Sequence, residues 1–276
     1  MSNPPVVPSA WRSLRQLTQA RIALGRAGTS LPTSAHLDFQ FDHARARDAV
    51  HRALDVQALR PGLADFGLDP VLVQSAAGDR ATFLQRPDLG RRLDEPSRQA
   101  LAKVAAGPSA RRDVALVVVD GLSALAIERN VLPFLGALLP RLKAGGVSLA
   151  PATLALQGRV ALGDEIGDLL GAALAVVLIG ERPGLSSPDS MGIYLTWSPR
   201  VGRNDADRNC ISNVRPDGMS YETAANKLFY LIGEATRRRI SGVLLKDETE
   251  MDGATIAAAS PEVLATAEGA GAKSKM

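Results

Sequence analysis

From Val114 onward the apolar pattern alternates between short continuous runs and longer stretches of helical spacing. VALVVVD (114–120) is continuous and rich in β-branched residues, which is how a strand buried on both faces reads. It ends in Asp120-Gly121. The spacing then predicts a helix from Ser123 to about Lys143, a second strand in VSLAPATLAL (147–156) and a helix opening near Arg159. A third run, ALAVVLIG (173–180), ends in Glu181-Arg182-Pro183-Gly184, and MGIYLTWS (191–198) reads as a further strand. After a polar loop from Pro199 to Asn209, a long helix is predicted from Ser220 to Arg239. Ser220 and Glu222 suit its start, and Arg237, Arg238 and Arg239 suit the negative end of its dipole. GVLLKD (242–247) is expected to close the pattern as a short strand. Strands alternating with helices at this spacing predict an α/β fold, with a doubly wound, mainly parallel sheet and right-handed crossovers.

Upstream the pattern is looser. Residues 1–10 are Pro-rich, and Trp11, Leu14, Leu17, Ile22 and Leu24 form a partly helical series ending near Gly25 and Gly28. A second helix is expected from near Asp38 through Leu54. The chain thus divides into an N-terminal arm with helices (1–60), a helical connecting segment (61–110), a sheet domain (111–247) and a tail (248–276). The tail is rich in Ala, Glu, Gly and Ser without useful periodicity, and is expected to be disordered.

Composition narrows the function classes. The 276 residues are 46% hydrophobic but only 4% aromatic, so an aliphatic core carries the fold. The formal charge of +3 comes from Arg scattered along the chain, which gives no footprint for a nucleic-acid partner. One cysteine, Cys210, excludes an intramolecular disulfide and a Cys-clustered metal site, and a cytoplasmic protein is expected. The N-terminus lacks the apolar core of a secretory signal. The longest apolar run, Leu169 to Gly180, falls short of the roughly 20 helical residues that span a bilayer, so no membrane partner is expected.

In an open parallel sheet, ligands bind beyond the carboxyl ends of the strands. Three loops qualify: Asp120-Gly121-Leu122-Ser123, Gln157-Gly158-Arg159-Val160 and Gly180-Glu181-Arg182-Pro183-Gly184. Each also has an ordinary reading, since glycine at a strand end is commonly a turn and Glu181 beside Arg182 can be a surface ion pair. Cys210 can equally be an inert packed thiol. No phosphate-binding glycine motif of the Walker A or G-x-G-x-x-G kind follows a strand. All three histidines, His36, His43 and His51, precede the predicted sheet, which leaves no catalytic triad or metal-ligating set within it. The residues alone describe a ligand-binding domain without catalytic machinery. A stand-alone flavodoxin-like module that takes a nucleotide or phosphate remains the alternative.

Five long blocks carry more information than any of these motifs. TQARIALGRAG (18–28), VVVDGLSA (117–124), QGRVALGDEIG (157–167), LIGERPGLSSPDSMGIYLTWSPR (178–200) and DADRNCISNVRPDGMSYETAANKL (205–228) resemble, in this order, the ethanolamine ammonia-lyase small subunit family. That resemblance implies a Rossmann-like domain preceded by N-terminal helices and a large-subunit partner in a hetero-oligomer. The partner's barrel would bind ethanolamine and carry the catalytic residues. Adenosylcobalamin would be held between the two chains, and its radical chemistry would yield acetaldehyde and ammonia. The family's cobalamin-contacting positions fall on Val160, Glu181 and Cys210. No histidine here fits the Asp-x-His-x-x-Gly spacing that replaces the lower ligand of cobalt in other cobalamin enzymes, so a base-on cofactor is expected. The resemblance leaves open whether a bacterial microcompartment houses the complex.

Overall fold

The computed structural model describes residues 6–107 and 112–247, and the expected disordered tail over 248–276 lies outside them. Its centre is a six-stranded sheet in the order β1-β3-β2-β4-β5-β6. The strands are β1 (Val71–Gln74), β2 (Val114–Val119), β3 (Thr153–Leu156), β4 (Leu174–Gly180), β5 (Met191–Trp197) and β6 (Arg208–Val214). β1, β3, β2 and β4 run parallel, while β5 is antiparallel to β4 and β6 antiparallel to β5.

Every residue of β2 and β4 is buried, because helices cover both faces where these strands lie. The period-2 alternation of strand side chains sorts β2 between two cores. Val114, Leu116 and Val118 join Phe134, Leu138, Leu228 and Leu231 from α5 (Ala124–Ala144) and α7 (Tyr221–Arg238). Ala115, Val117 and Val119 join Leu101 of α4 (Glu95–Ala105) and Ile166 of α6 (Leu162–Leu169). The remaining helices are α1 (Thr33–His51), α2 (Val56–Asp65) and α3 (Arg80–Gln85). Ser123 caps α5, accepting from Ala126 N–H at 3.2 Å and donating to the Pro188 carbonyl at 2.7 Å. Ser220 caps α7 where the sequence predicts its start, and the helix closes at Arg239, which adopts the left-handed conformation.

The expected fold class holds as a mixed α/β architecture, with corrections. The sheet is not parallel throughout: residues 181–190 join β4 to β5 without a helix, too short for the crossover of roughly a dozen residues that parallel pairing needs. The segment 61–110, expected to be a helical connection, also supplies β1, a four-residue edge strand too short to show periodicity. β6 was hidden within and after the predicted polar loop. Its buried residues Arg208, Ile211 and Val214 do not alternate, because a register shift interrupts its pairing with β5 between Met191 and Ile193. GVLLKD is not a strand but a 3-10 turn over Gly242–Leu244. Gly242 has φ +77°, and a methyl there would sit 1.9 Å from the Ala206 carbonyl oxygen, so the chain bends tightly onto the 205–207 turn. Among the described residues before Thr33, where the following helix starts, only Arg12–Gln16 forms a helical turn. Among the described residues no helix is long and apolar enough to cross a membrane.

Candidate functional site

The loops after β1, β2, β3 and β4 meet at one edge of the sheet and are braced by a buried carboxylate. Asp120 accepts from the Gln157 and Gly158 N–H groups at 3.0 and 3.2 Å, fixing the β3–α6 loop. Burial pushes its carboxyl up, opposed by those two donors and by the Arg80 charge. Ser75 Oγ donates to the Gln157 carbonyl at 2.6 Å from the β1 side. Gly158 must be glycine for packing: a methyl would lie 2.5 Å from Val119 Cγ1. Gly121, at φ +58°, brings its backbone close to Gly180, whose carbonyl accepts from Leu122 N–H at 2.9 Å. Between β2 and β4 the edge is therefore closed by backbone. The open surface lies further across, over β5 and β6.

α6 borders that surface, anchored by an ion pair. Asp164 Oδ1 meets Arg208 Nη1 at 2.7 Å, with both side chains 3% exposed. The same nitrogen donates to Thr196 Oγ1 at 3.2 Å, and Arg208 Nη2 donates to the Arg203 carbonyl at 2.9 Å. Helix and antiparallel strands are thus tied across the sheet. Val160, in the turn that opens α6, is half-buried and packs against the same core as Tyr194 of β5.

Glu181 leaves β4 at its carboxyl end. Its N–H donates to the Ser190 carbonyl at 2.9 Å, and its carboxylate accepts from Ser190 Oγ, Ser212 Oγ and, at 3.2 Å, Asn213 N–H. It makes no ion pair among the described residues, so a structural pair with Arg182 does not account for it. A methyl on Gly192 would sit 2.9 Å from Glu181 Oε1 and 3.2 Å from Tyr194 Cε2, which puts the carboxylate and the phenol on one face of β5. Tyr194 is the register partner of Cys210 on β6. Desolvation pushes the Cys210 thiol up; a hydrogen bond with Tyr194 opposes this and the Glu181 charge adds to it. Desolvation also raises the Tyr194 phenol, so both groups stay neutral near pH 7. α7 covers β5 and β6 on the opposite side of the sheet, whereas Cys210 and Ser212 are exposed.

Glu181, Tyr194, Cys210 and Ser212 therefore share one strip, and Val160 packs into the same core as Tyr194. The strip offers an ordered acceptor, a neutral thiol and phenol, and apolar carbon: a surface for a broad ligand with amide donors rather than for acid–base chemistry. The histidines all lie on α1, where His43 stacks on Phe39 and His36 bonds Gln40. Sequence reasoning missed Tyr194, Ser190, Ser212 and the Asp164–Arg208 pair. Asp164 and Arg208 both stood within quoted blocks, but nothing in one chain links positions so far apart.

The model of the ethanolamine ammonia-lyase light chain matches residues 8–246, a span that contains every residue of this site. The chain belongs to the ethanolamine ammonia-lyase light-chain family. It is 62% identical over 253 residues to the ethanolamine ammonia-lyase small subunit of Azotobacter vinelandii, covering 91% of this chain and 94% of that one. It is 61% identical over 241 residues to the small subunit of Pseudomonas aeruginosa strain LESB58, covering 87% and 88%. The small subunit of Pseudomonas fluorescens strain SBW25 is 57% identical over 255 residues, covering 91% and 92%. A stand-alone nucleotide-binding module finds no support in this family.

Within the light-chain fold, the anchor of α6 can be tested directly. Arg208→Met leaves Asp164 buried without its partner and is expected to lower stability by about 3–5 kcal/mol. Equilibrium denaturation measures it; a loss under about 1 kcal/mol would mean that α6 is held by its other contacts, apolar packing and the Glu165–Arg98 pair, instead.

Proposed function

We propose that this chain acts as the small subunit of an adenosylcobalamin-dependent ethanolamine ammonia-lyase, holding the cofactor against a large subunit that carries the reaction from ethanolamine to acetaldehyde and ammonia. The observation that carries the reading is the convergence of Glu181 and Cys210 on one open strip, with Val160 packed against the same core as Tyr194, within a span matched along its length by the light-chain family. In this reading residues 111–247, together with β1, make a Rossmann-like, doubly wound cobalamin-binding domain, preceded by an arm and helices. The complex is cytoplasmic.

When bound, adenosylcobalamin supplies a cobalt–carbon bond whose homolysis starts the abstraction of hydrogen from substrate. The chain's own residues have simpler tasks. Glu181, already oriented by two serines and one backbone N–H, accepts from amide groups at the periphery of the corrin. Val160 gives apolar contact beside it. Cys210 stays a neutral thiol and packs as a soft surface. Nothing on the strip is a suitable acid or base for a small amino alcohol, and one open sheet face covers only one side of a corrin ring. The large subunit must close the other side and exclude water.

Purified alone and given adenosylcobalamin, the chain is expected to release no acetaldehyde from ethanolamine, and addition of the large subunit is expected to restore turnover. Turnover by the small chain with no large subunit detectable by mass spectrometry would overturn this division of labour. In the two-chain complex, Glu181→Ala is expected to weaken cobalamin binding by about 1–3 kcal/mol. Unchanged affinity together with a less stable chain would leave Glu181 only its bonds to Ser190, Ser212 and Asn213.

The cofactor is bound base-on in this reading, supported by the location of all three histidines on α1 rather than on a strand-end loop. Paramagnetic resonance of the bound cofactor in its cobalt(II) form, with nitrogen-15-labelled protein, is expected to show an axial-nitrogen splitting that ignores the label. A splitting that changes with the label would identify a protein histidine as the ligand.

A further inference from the structure

Beside the strip lies a group of arginines that contribute nothing to the acceptor, thiol and phenol surface. Arg159 precedes Val160, Arg182 follows Glu181, Arg80 opens α3, and Arg91 lies in the short 3-10 turn after it. Arg159 is held from two directions. Its N–H donates to the Gly90 carbonyl at 2.7 Å, and a methyl on Gly90 would sit 3.0 Å from Arg159 Cγ. Its guanidinium lies over the Phe83 ring at 4.2 Å, and Nη2 donates to the Phe83 carbonyl at 3.2 Å. The Arg80 guanidinium stacks on the same fully buried ring at 4.9 Å.

The charges here do not balance. Arg80 has its bonds to the Val50 and Gly121 carbonyls and a carboxylate, Asp120, at 3.8 Å. Arg91, Arg159 and Arg182 have no carboxylate partner among the described residues. Buried Arg159 Nε and Arg80 Nη2 also lack a hydrogen-bond acceptor. Arg91 and Arg182 are exposed and can be hydrated, but Arg159 is half-buried. Burial and the charges of Arg80, Arg182 and Arg91 all act against its cationic form, with Asp120 a weaker counterweight. The cation held there, pinned at backbone and ring, has no carboxylate of its own and leaves Nε unbonded, so an anion would complete the site. Guanidinium forks match phosphate oxygens in shape and charge.

We infer that Arg159, flanked by Arg91 and Arg182 and backed by Arg80, forms an anion subsite for a phosphate group, and that the phosphate is the phosphodiester of the cofactor's nucleotide loop. The second half rests on the function proposed above. Cobalamin carries one such group, on a tether from the corrin rim. Arg159 and Arg182 adjoin Val160 and Glu181 in the chain, so an anion on that tether and a corrin on the strip can be held together. A free inorganic phosphate has the same chemistry and is the competing source.

Equilibrium binding to the two-subunit complex, followed by absorbance, separates these cases without recourse to turnover. Adenosylcobalamin is compared with adenosylcobinamide, which lacks both the phosphodiester and the nucleoside. Arg159→Ala is expected to weaken adenosylcobalamin binding by about 10- to 100-fold, the usual scale for losing a charged hydrogen bond. Adenosylcobinamide should bind the variant and the wild type within about twofold, which also reports that the variant is folded and assembled. Arg159→Lys, keeping charge but not the fork, should fall between. Inorganic phosphate should compete with adenosylcobalamin and not with adenosylcobinamide, and Arg159→Ala should abolish the competition. Equal loss for both corrinoids would make Arg159 a packing residue and overturn the proposal, as would no loss for either. Phosphate binding alongside adenosylcobalamin, sensitive to Arg159→Ala, would assign the subsite to a free anion and overturn the nucleotide-loop assignment. A wild-type complex that binds neither corrinoid would remove the functional reading itself.

Discussion

The fold depends on burying β2 and β4 on both faces. Val117 and Val177 are register partners that point to the α4–α6 side, while Leu116 and Val176 beside them point to the α5–α7 side. A strand pair with no polar side chain cannot tolerate water on either side, so a helix layer on each is obligatory. At roughly 25 cal/mol per Å² of apolar area, these two strands and the helices that cover them supply much of the driving force for folding. The parallel order of β1, β3, β2 and β4 puts their carboxyl ends on one edge, where the loops that follow them must gather.

What happens at that edge is governed by polar groups withdrawn from water. Asp120 organises the β3–α6 loop from below, and Asp164 with Arg208 ties α6 to the antiparallel strands. Such groups add little net stability compared with well-packed apolar residues, but removing one partner is costly. They fix position. The Asp164–Arg208 pair is the polar tie between α6 and the antiparallel strands, and apolar contacts, the least directional of the available interactions, would replace it poorly.

The parts of this arrangement that can be read in the sequence are those where one local signal suffices. β2 and β4 announce themselves as unbroken apolar runs, and Ser220 with the closing arginines marks both ends of α7. The loops at Gln157–Val160 and Gly180–Gly184 follow from strand ends alone, so Val160 and Glu181 are found by position and by family resemblance together. β1 and β6 escape because an edge strand needs apolar residues on one face only, and the register shift in β6 spoils even that alternation. Antiparallel β5 is legible only once the helix-free 181–190 connection is noticed, since its apolar run looks like its parallel neighbours. Tyr194 and Ser212 escape for another reason: their importance comes from register across the sheet. Arg80 and Arg159, which share the Phe83 ring, come from separate segments, and no spacing rule connects them.

The strip and the arginines obey opposite electrostatic rules, and this makes their adjacency informative. On the strip the thiol and phenol are neutral, raised by desolvation, and the Glu181 carboxylate is oriented by Ser190, Ser212 and Asn213 with acceptor capacity left over. Such a surface, with one oriented acceptor among neutral groups, suits a broad, mostly uncharged ring system with amide edges. Next to Val160 in the chain, the guanidinium of Arg159 is held where the charges of Arg80, Arg182 and Arg91 repel it. Placing a fixed cation beside a neutral platform restricts the orientation of a ligand that has one anionic group at the end of a tether, because only one way round meets both regions. Uniform stickiness would bind such a ligand in several poses. A platform that contributes area and a separate cation that contributes direction can bind it in one, which is what a protein needs when a second subunit must meet the other face of the same ligand.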